Sequence, residues 1–286
     1  MAAFEVLTAE YAGACYGVQR ALDLTQEAAR SNKTVCTLGP LIHNPRVVNE
    51  LANQGIEVVD TPEAITQDAV VIRSHGVIPQ VLADLESRDL VVINATCPYV
   101  MRAQNAAASL AQKGSTVLVV GEAGHPEVES ISQNALVQGG ACTIVGSVAD
   151  IPDELVEPVG IVVQTTQPRE KLLAVVEALR ARGIDPEVKD TICFATQQRQ
   201  QAAIDLAKEV DVMLVLGGRN SSNTTRLYEL CHEYCDHAHH IEDAQEIQPE
   251  WFTGISKVGV TAGASTPENQ IRACLTHLYE LADTLS

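Results

Sequence analysis

The feature that most constrains the fold of this chain is a unit that occurs three times. Three segments place a cysteine directly before a helical pattern, at Cys15, Cys97 and Cys193. A β-rich run then ends in a glycine 24 residues after each cysteine, and a polar residue stands 28 residues after it. The glycines are Gly39, Gly121 and Gly217, and the polar residues are His43, His125 and Ser221. Because chance agreement at three places is improbable, we interpret the chain as three copies of one structural unit.

Each unit continues with a second apolar strand and a polar loop, read as AVVIRSHGV, GIVVQTTQP and KVGVTAGASTP. Strands that alternate with helices predict parallel sheets covered by helices. The sequence therefore predicts an α/β fold of three similar small α/β lobes with parallel sheets around a pseudo-threefold axis. The predicted lobes span residues 1–95, 96–190 and 191–286. Ligands of such sheets gather at the carboxyl ends of the strands, where the cysteines and polar loops lie and would meet at one central site.

The charge of the chain limits its partners. The formal net charge is -18, with 37 acidic and 19 basic residues, which argues against nucleic acid or an anionic membrane as the main partner. A phosphate group would need local donors such as hydroxyls, amides, imidazoles and the N–H groups at helix starts. No apolar run approaches the roughly 18 residues that span a bilayer, and the N-terminus lacks the pattern of a signal peptide. We expect a cytoplasmic protein with no membrane partner.

The three repeated cysteines indicate a metal site. A single cysteine is more often a small buried hydrophobe, but three at equivalent positions before helices favour soft-metal ligation. Three protein ligands leave one metal position open to a substrate, and a central iron–sulfur cluster fits this better than zinc, because no histidine shares the repeat position. We expect the other five cysteines to be core or surface thiols. The run CHEYCDHAHH from Cys231 has metal-like spacing, yet we expect Cys235 and its neighbours to face solvent at a helix end without a metal.

Nine motifs, in order along essentially the whole chain, resemble those of the 4-hydroxy-3-methylbut-2-enyl diphosphate reductase family. They are GACYGVQRA, LGPLIHNPRVV, SHGV, NATCP, GHPEVES, QTTQP, DTICFATQQRQ, NSSNTTRL and TAGAST. The resemblance implies a 4Fe-4S enzyme of the non-mevalonate isoprenoid pathway. Such an enzyme removes an allylic hydroxyl with two electrons and two protons and yields isopentenyl and dimethylallyl diphosphate. By the same resemblance, Cys15, Cys97 and Cys193 would hold one 4Fe-4S cluster whose fourth iron stays open.

The resemblance also implies the residues that bind and convert the substrate. Glu127 would be the acid, Thr165 would relay the proton and orient the hydroxyl, and His125 would assist both binding and catalysis. The diphosphate would be held by hydroxyl, amide and imidazole side chains, those of His43, His75, His125, Ser221, Ser222, Asn223 and Ser265. An exposed loop glutamate, a strand-end threonine and a helix N-cap serine are the plain structural alternatives. A ferredoxin or flavodoxin would donate the electrons.

Two other functions fit parts of the pattern. A different open-iron dehydratase or lyase, such as one of the quinolinate synthase type, also uses three lobes and three cysteines. The NSSN and GHPEVE motifs oppose it, and a lyase would consume no electrons per turnover. An iron–sulfur sensor or electron carrier would more often offer a fourth ligand and a partner-binding extension, and neither is evident in the sequence.

Overall fold

The computed structural model describes residues 3–285, within which the chain forms twelve strands and nine α-helices. The strands are β1 (Glu5–Thr8), β2 (Val35–Leu38), β3 (Ile56–Val59), β4 (Ala69–Ile72), β5 (Val91–Asn94), β6 (Thr116–Val120), β7 (Cys142–Val145), β8 (Val159–Val163), β9 (Glu187–Lys189), β10 (Val212–Leu216), β11 (Ala238–Ile241) and β12 (Lys257–Ala262). The helices are α1 (Tyr16–Ser31), α2 (Pro45–Asn53), α3 (Pro79–Glu86), α4 (Pro98–Gln112), α5 (Pro126–Leu136), α6 (Arg169–Ala181), α7 (Phe194–Ala207), α8 (Ser222–His232) and α9 (Glu268–Thr284).

The strands form three four-stranded sheets in which every pairing is parallel. The sheets share one strand order: β3-β2-β4-β5, β7-β6-β8-β9 and β11-β10-β12-β1. This confirms the predicted α/β fold with three parallel sheets. In each sheet, the last strand of that order leads into a repeat cysteine: β5 precedes Cys97, β9 precedes Cys193 and β1 precedes Cys15.

Strand β1 lies elsewhere than the sequence analysis placed it. Residues 1–95 were assigned to the first lobe, but Glu5–Thr8 pairs with β12 and completes the sheet of the last segment. The strand is a short edge strand with a half-exposed pattern, so its sequence carries no clear strand signal. In this pairing β1 is equivalent to β5 and β9, because each of the three is an edge strand that completes a sheet just before a repeat cysteine. The division into lobes at residues 95 and 190 stays a prediction.

The chain separates into two compact units. The first, called here the terminal unit, comprises Met1–Val18, His43–Val47 and Phe194–Ser286. Its central strand β10 is wholly buried and alternates between two cores, as expected for a parallel sheet covered on both faces. Val212, Leu214 and Leu216 pack in the core that includes Leu278 of α9. Met213 and Val215 pack with residues of α7 and α8 in the other core.

The second unit, called here the middle unit, comprises Gln19–Ile42 and Val48–Cys193 and contains two of the sheets. Strand β6 repeats the alternation of β10. Leu118 and Val120 pack in a core with α6, while Val117 and Val119 pack with α4 and α5. Helix α4 buries one face, whose residues recur at helical spacing; they are Val100, Ala103, Ala107 and Leu110.

Several helices begin directly at the polar loops because a proline occupies their first position. Proline lacks an N–H and has a fixed φ, so it suits the first helical position, where the N–H would have no partner in the helix. Pro98 starts α4 next to Cys97, and Pro126 starts α5 next to His125. Each of these helices follows the carboxyl end of a strand, α4 after β5 and α5 after β6. Among residues 3–285, no helix is both long and apolar enough to cross a membrane.

Candidate active site

The three repeat cysteines occupy the same kind of turn. The main-chain N–H of each donates a hydrogen bond to a carbonyl two residues beyond the end of a central strand. These bonds join Cys15 to Ala264 (3.1 Å), Cys97 to Ser74 (2.9 Å) and Cys193 to Thr165 (2.9 Å). Each cysteine directly precedes the first residue of a helix, α1, α4 or α7. The repeat seen in the sequence is therefore also a repeat of backbone geometry.

The thiols at these turns differ from the other cysteines of the chain. Cys15, Cys97 and Cys193 are only half-buried, and each directly precedes a helix. Burial raises the pKa of four other thiols well above the usual range, to about 11 or about 12; these are Cys36, Cys142, Cys231 and Cys274. Only thiolates bind metals well, so the donor chemistry of the three turns suits a soft metal better than that of the remaining cysteines.

The three repeat cysteines are divided between the two units. The terminal unit holds Cys15, and the middle unit holds Cys97 and Cys193. In each unit taken by itself, the described residues include no group of three or more His, Cys, Asp or Glu side chains arranged to bind a metal ion.

The expectation that the CHEYCDHAHH run faces solvent is wrong for its cysteines. Cys231 is fully buried and Cys235 nearly so, in the core between α7, α8 and β11. Their thiols lie near main-chain carbonyls, with Cys231 Sγ 3.9 Å from the carbonyl of Ala203. The apolar face of α8 continues to its last turn, where Cys231 packs in the core. The metal-like spacing of Cys231 and Cys235 therefore reflects core packing.

A buried acid dominates the middle unit. Glu127 lies in the first turn of α5 and is 2% exposed. One carboxylate oxygen accepts the main-chain N–H of Thr165 at 2.6 Å, and the other accepts the Thr165 hydroxyl at 3.0 Å. Burial raises the pKa of Glu127 to about 7, and the two hydrogen bonds from Thr165 partly oppose that rise. The carboxyl is therefore poised to hold or release a proton near neutral pH.

Two imidazoles lie beside this acid. His125 caps α5, and its Nδ1 accepts the main-chain N–H of Glu127 at 3.1 Å. Burial lowers the pKa of His125, which favours the neutral ring with its proton on Nε2. The ring of His75 packs edge-on against it, with 5.6 Å between ring centroids. The middle unit thus brings together five of the predicted site residues: His75, His125, Glu127, Thr165 and Cys193.

The terminal unit gathers a second polar group around His43. The Ser265 hydroxyl donates to the carbonyl of His43 at 3.1 Å, and the Asn44 amide donates to the carbonyl of Ser265 at 2.9 Å. A Cβ atom at Gly218 would lie 2.8 Å from the same carbonyl of His43, so glycine lets the loop before α8 approach closely. Cys15 hydrogen-bonds to Ala264, the neighbour of Ser265.

The start of α8 supplies the remaining predicted residues. Ser221 is the N-cap, and its hydroxyl accepts the main-chain N–H of Thr224. Ser222 begins the helix. Asn223 is 6% exposed, and neither its amide oxygen nor its amide nitrogen has a hydrogen-bond partner among residues 3–285. Because an unpaired buried amide is costly, this side chain is placed as a ligand-binding group would be.

Sequence reasoning missed two buried positioning residues. Asn44 holds Ser265 and also accepts the main-chain N–H groups of Arg46 and Val47 at the start of α2. The Asn-Pro pair in LIHNPRVV is the signal that could have revealed this cap. Arg199 is 3% exposed in α7 and donates to the carbonyl of Gly13 in the turn before Cys15. An arginine on a polar helix gives no comparable signal in sequence.

The three parallel sheets and the buried acid define an α/β enzyme, and the comparisons with known proteins identify its family. The family model described as LytB protein matches residues 6–279. A 4-hydroxy-3-methylbut-2-enyl diphosphate reductase of Geobacter sulfurreducens is 45% identical, over 96% of this chain and 97% of that protein. One of Aquifex aeolicus is 42% identical, over 98% of this chain and 97% of that protein. The chain belongs to the LytB family.

Solved structures agree with this assignment. A structure described as (E)-4-hydroxy-3-methyl-but-2-enyl diphosphate reductase, the terminal enzyme of the non-mevalonate pathway, is 42% identical to this chain. The match covers 98% of this chain and all of the other, with a TM-score of 0.73. A structure described as E-1-hydroxy-2-methyl-but-2-enyl-4-diphosphate reductase from Plasmodium falciparum is 23% identical, over 96% of this chain and 87% of that one. Its TM-score is 0.88, and at this identity it shows the fold alone.

Proposed function

We propose that this chain reduces (E)-4-hydroxy-3-methylbut-2-enyl diphosphate to isopentenyl and dimethylallyl diphosphate, the last step of the non-mevalonate isoprenoid pathway. The reaction removes the allylic hydroxyl as water and consumes two electrons and two protons. Membership of the LytB family and the names of relatives at 42–45% identity over nearly the whole chain support this assignment.

The observation that carries the proposal is the hydrogen-bonded pair of Glu127 and Thr165. Hydroxide is a poor leaving group, so the reaction needs an acid that is still protonated near neutral pH. Burial gives Glu127 such a pKa, about 7, and both of its oxygens contact Thr165. We assign the proton donor to Glu127 and the orientation of the substrate hydroxyl to the Thr165 hydroxyl. His125 holds the main chain of Glu127 and contributes to substrate binding.

The diphosphate would be bound by neutral donors. We assign this role to the imidazoles, hydroxyls and amide that the sequence analysis selected, which are His43, His75, His125, Ser221, Ser222, Asn223 and Ser265. Asn223 gives the best support, since its buried amide has no partner among the described residues. Hydroxyls, imidazoles, an amide and the N–H groups at helix starts are the local phosphate donors that the sequence analysis expects in a chain of net charge -18.

The cysteine turns would hold the cofactor. We propose that Cys15, Cys97 and Cys193 bind one 4Fe-4S cluster with an open fourth iron, at the centre of three lobes that divide near residues 95 and 190 and surround a pseudo-threefold axis. The equivalent hydrogen bonds of the three cysteines and their half-buried thiols at helix starts fit this donor set. When bound, the cluster would supply electrons and a Lewis-acidic position for the substrate hydroxyl.

The electrons would come from a ferredoxin or flavodoxin, and the protein would work in the cytoplasm. The electron donor is what the family resemblance implies, and the cytoplasmic location is the expectation drawn from the sequence.

Anaerobic turnover tests the proposed function directly. The reconstituted protein is given the substrate and a chemical reductant, and both the products and the electrons consumed are counted. We expect isopentenyl and dimethylallyl diphosphate at two electrons per turnover. Loss of water without electron consumption would instead indicate an open-iron lyase and contradict the proposal.

A further inference from the structure

Arg73 is a partly buried cation that the proposed site does not yet use. It follows β4, and its Nε donates to the carbonyl of Gly76 at 3.3 Å. Its guanidinium lies over Gly39, where a Cβ atom would stand 2.6 Å from Nη1. Within residues 3–285 the guanidinium makes that one hydrogen bond and no ion pair, so its terminal amino groups keep unused donors.

The second repeat carries a neutral side chain at the equivalent position. Gln164 follows β8 as Arg73 follows β4, and its amide lies over Gly121, the glycine equivalent to Gly39. The Gln164 side-chain oxygen is occupied, because it accepts the main-chain N–H of Glu122 at 3.0 Å and the Gln167 amide at 3.0 Å. The Gln164 side-chain nitrogen is buried and has no hydrogen-bond partner among residues 3–285. The two repeats therefore differ in charge at this position, since the second carries a neutral amide and the first a guanidinium.

The surroundings of Arg73 suit an anion. Arg73 stands two residues before His75, whose ring contacts His125. Burial lowers the pKa of His125, and the positive charge of Arg73 lowers it further against the opposing effect of Glu122. Arginine stays charged even when partly buried, so its desolvation is offset best by an anionic partner. Its planar fork binds phosphate oxygens through two parallel hydrogen bonds.

We propose that Arg73 is a further substrate-binding residue whose terminal amino groups, held over Gly39 beside His75, bind oxygens of the substrate's diphosphate. The inference deepens the proposed function and rests on it. It adds one fixed cation to a site for which the sequence predicted only neutral donors.

Titration calorimetry with inorganic pyrophosphate tests this on the reconstituted holoenzyme. The variant Arg73→Gln places over Gly39 the side chain that the second repeat already carries over Gly121, so it should fold. Arg73→Lys keeps the charge and loses the planar fork. The control is Arg180→Gln, which removes an exposed arginine of the same unit that pairs with Asp185. Thermal melts of all variants verify the fold.

We expect Arg73→Gln to weaken pyrophosphate binding by about 10- to 100-fold and to flatten its salt dependence. Arg73→Lys should lie between that variant and the wild type, while Arg180→Gln matches the wild type. With the full substrate, Arg73→Gln should raise KM with little change in kcat.

Wild-type pyrophosphate affinity in both Arg73 variants would overturn the inference, and so would a wild-type protein that binds no pyrophosphate. Failure of the proposed function looks different, because the wild type would then form no isopentenyl or dimethylallyl diphosphate whatever the variants bind.

Discussion

The second and third repeats use the same backbone position for opposite purposes. His125 and Ser221 stand 28 residues after their cysteines and both cap a helix. Two residues further on lie Glu127 and Asn223, both buried in the first helical turn. Glu127 is held by two hydrogen bonds from Thr165, whereas the amide of Asn223 has no partner among residues 3–285. One repeat presents an acid that its own unit holds in place, and the other presents an amide with unused hydrogen-bonding capacity.

This difference shows how two repeats with the same backbone can place different chemical groups at one position. The strand-to-helix turn fixes where the side chain lies, since helix caps and strand ends repeat in both units. The partner on the neighbouring loop then decides the chemistry. A threonine beside a buried carboxyl holds an acid, while the lack of a partner leaves an amide for a ligand.

Replacing Glu127 should have the largest effect on turnover. Glu127→Gln keeps shape and one acceptor but cannot donate a proton as an acid, so we expect turnover to fall by about 100- to 10,000-fold. Pyrophosphate binding should stay near the wild-type value. Anaerobic turnover and calorimetry on the same preparation measure both quantities. Glu170→Gln, which changes an exposed acid of α6, is the matched control and should behave as the wild type. Retention of wild-type turnover in Glu127→Gln would show that Glu127 is not the proton donor.

The raised pKa of Glu127 should appear as a pH dependence of stability. The usual pKa is 4.5, and burial raises it to about 7 in the folded chain. Between these values the unfolded chain loses the proton while the folded chain keeps it, so stability falls as the pH rises from 4.5 to 7. The stability is fully present below pH 4.5 and levels off above pH 7. The loss amounts to roughly 3 kcal/mol, since each pKa unit corresponds to about 1.4 kcal/mol.

Urea unfolding of the wild type and Glu127→Gln across this pH range isolates the contribution of the one carboxyl. The free energy of unfolding of the wild type should decline relative to the variant as the pH rises. A difference that does not vary with pH would show that Glu127 ionises in the folded chain as it does in the unfolded one.

Making the third repeat resemble the second should weaken ligand binding. Asn223→Asp puts a carboxylate where the amide lies, and repulsion of roughly 2 kcal/mol would reduce pyrophosphate affinity about 30-fold. Asn223→Ala loses only hydrogen bonds and should have a smaller effect. Calorimetry compares both with Asn269→Asp, which makes the same change at an exposed position of α9. Equal affinities in Asn223→Asp and the wild type would show that the ligand does not approach this amide.

Removing the Thr165 hydroxyl, which donates to Glu127, should have the smallest effect on activity. Thr165→Val loses the hydroxyl contact with Glu127 but keeps the main-chain N–H bond, so we expect kcat to fall about 10-fold. Because the hydroxyl stabilises the carboxylate, its loss should also raise the pKa of Glu127 and shift the pH profile of kcat upwards. Thr165→Ser should restore most of the activity, and a serine variant no better than valine would show that the hydroxyl alone does not explain the role of Thr165.

The repeat made most of the fold predictable. Cysteine-to-glycine spacing located the helices and the buried central strands β2, β6 and β10, because apolar periodicity and glycine turns are local signals. Strand β1 escaped prediction since its position depends on pairing with β12, almost the whole chain away. The burial of Cys231 and Cys235 escaped prediction because metal-like spacing and core packing look alike in sequence.

The candidate site was only partly accessible to sequence reasoning. The repeat marked His43, His125 and Ser221, but the family resemblance alone selected Glu127 and Thr165. Their contact joins two loops 38 residues apart, which no local pattern encodes. Arg73 directly precedes the SHGV motif and has no signal of its own in the sequence. Its packing over Gly39 and its lack of an ion pair within residues 3–285 appear only in the structure.

The central claim is that Glu127 is a buried acid held by Thr165 and still protonated near neutral pH. The most direct test is a titration of its carboxyl by infrared difference spectroscopy, with Glu127→Gln used to identify the band. The account predicts a protonated carboxyl that ionises near pH 7 in the wild type and at higher pH in Thr165→Val. A carboxylate that is already ionised at pH 5 in both proteins would contradict it.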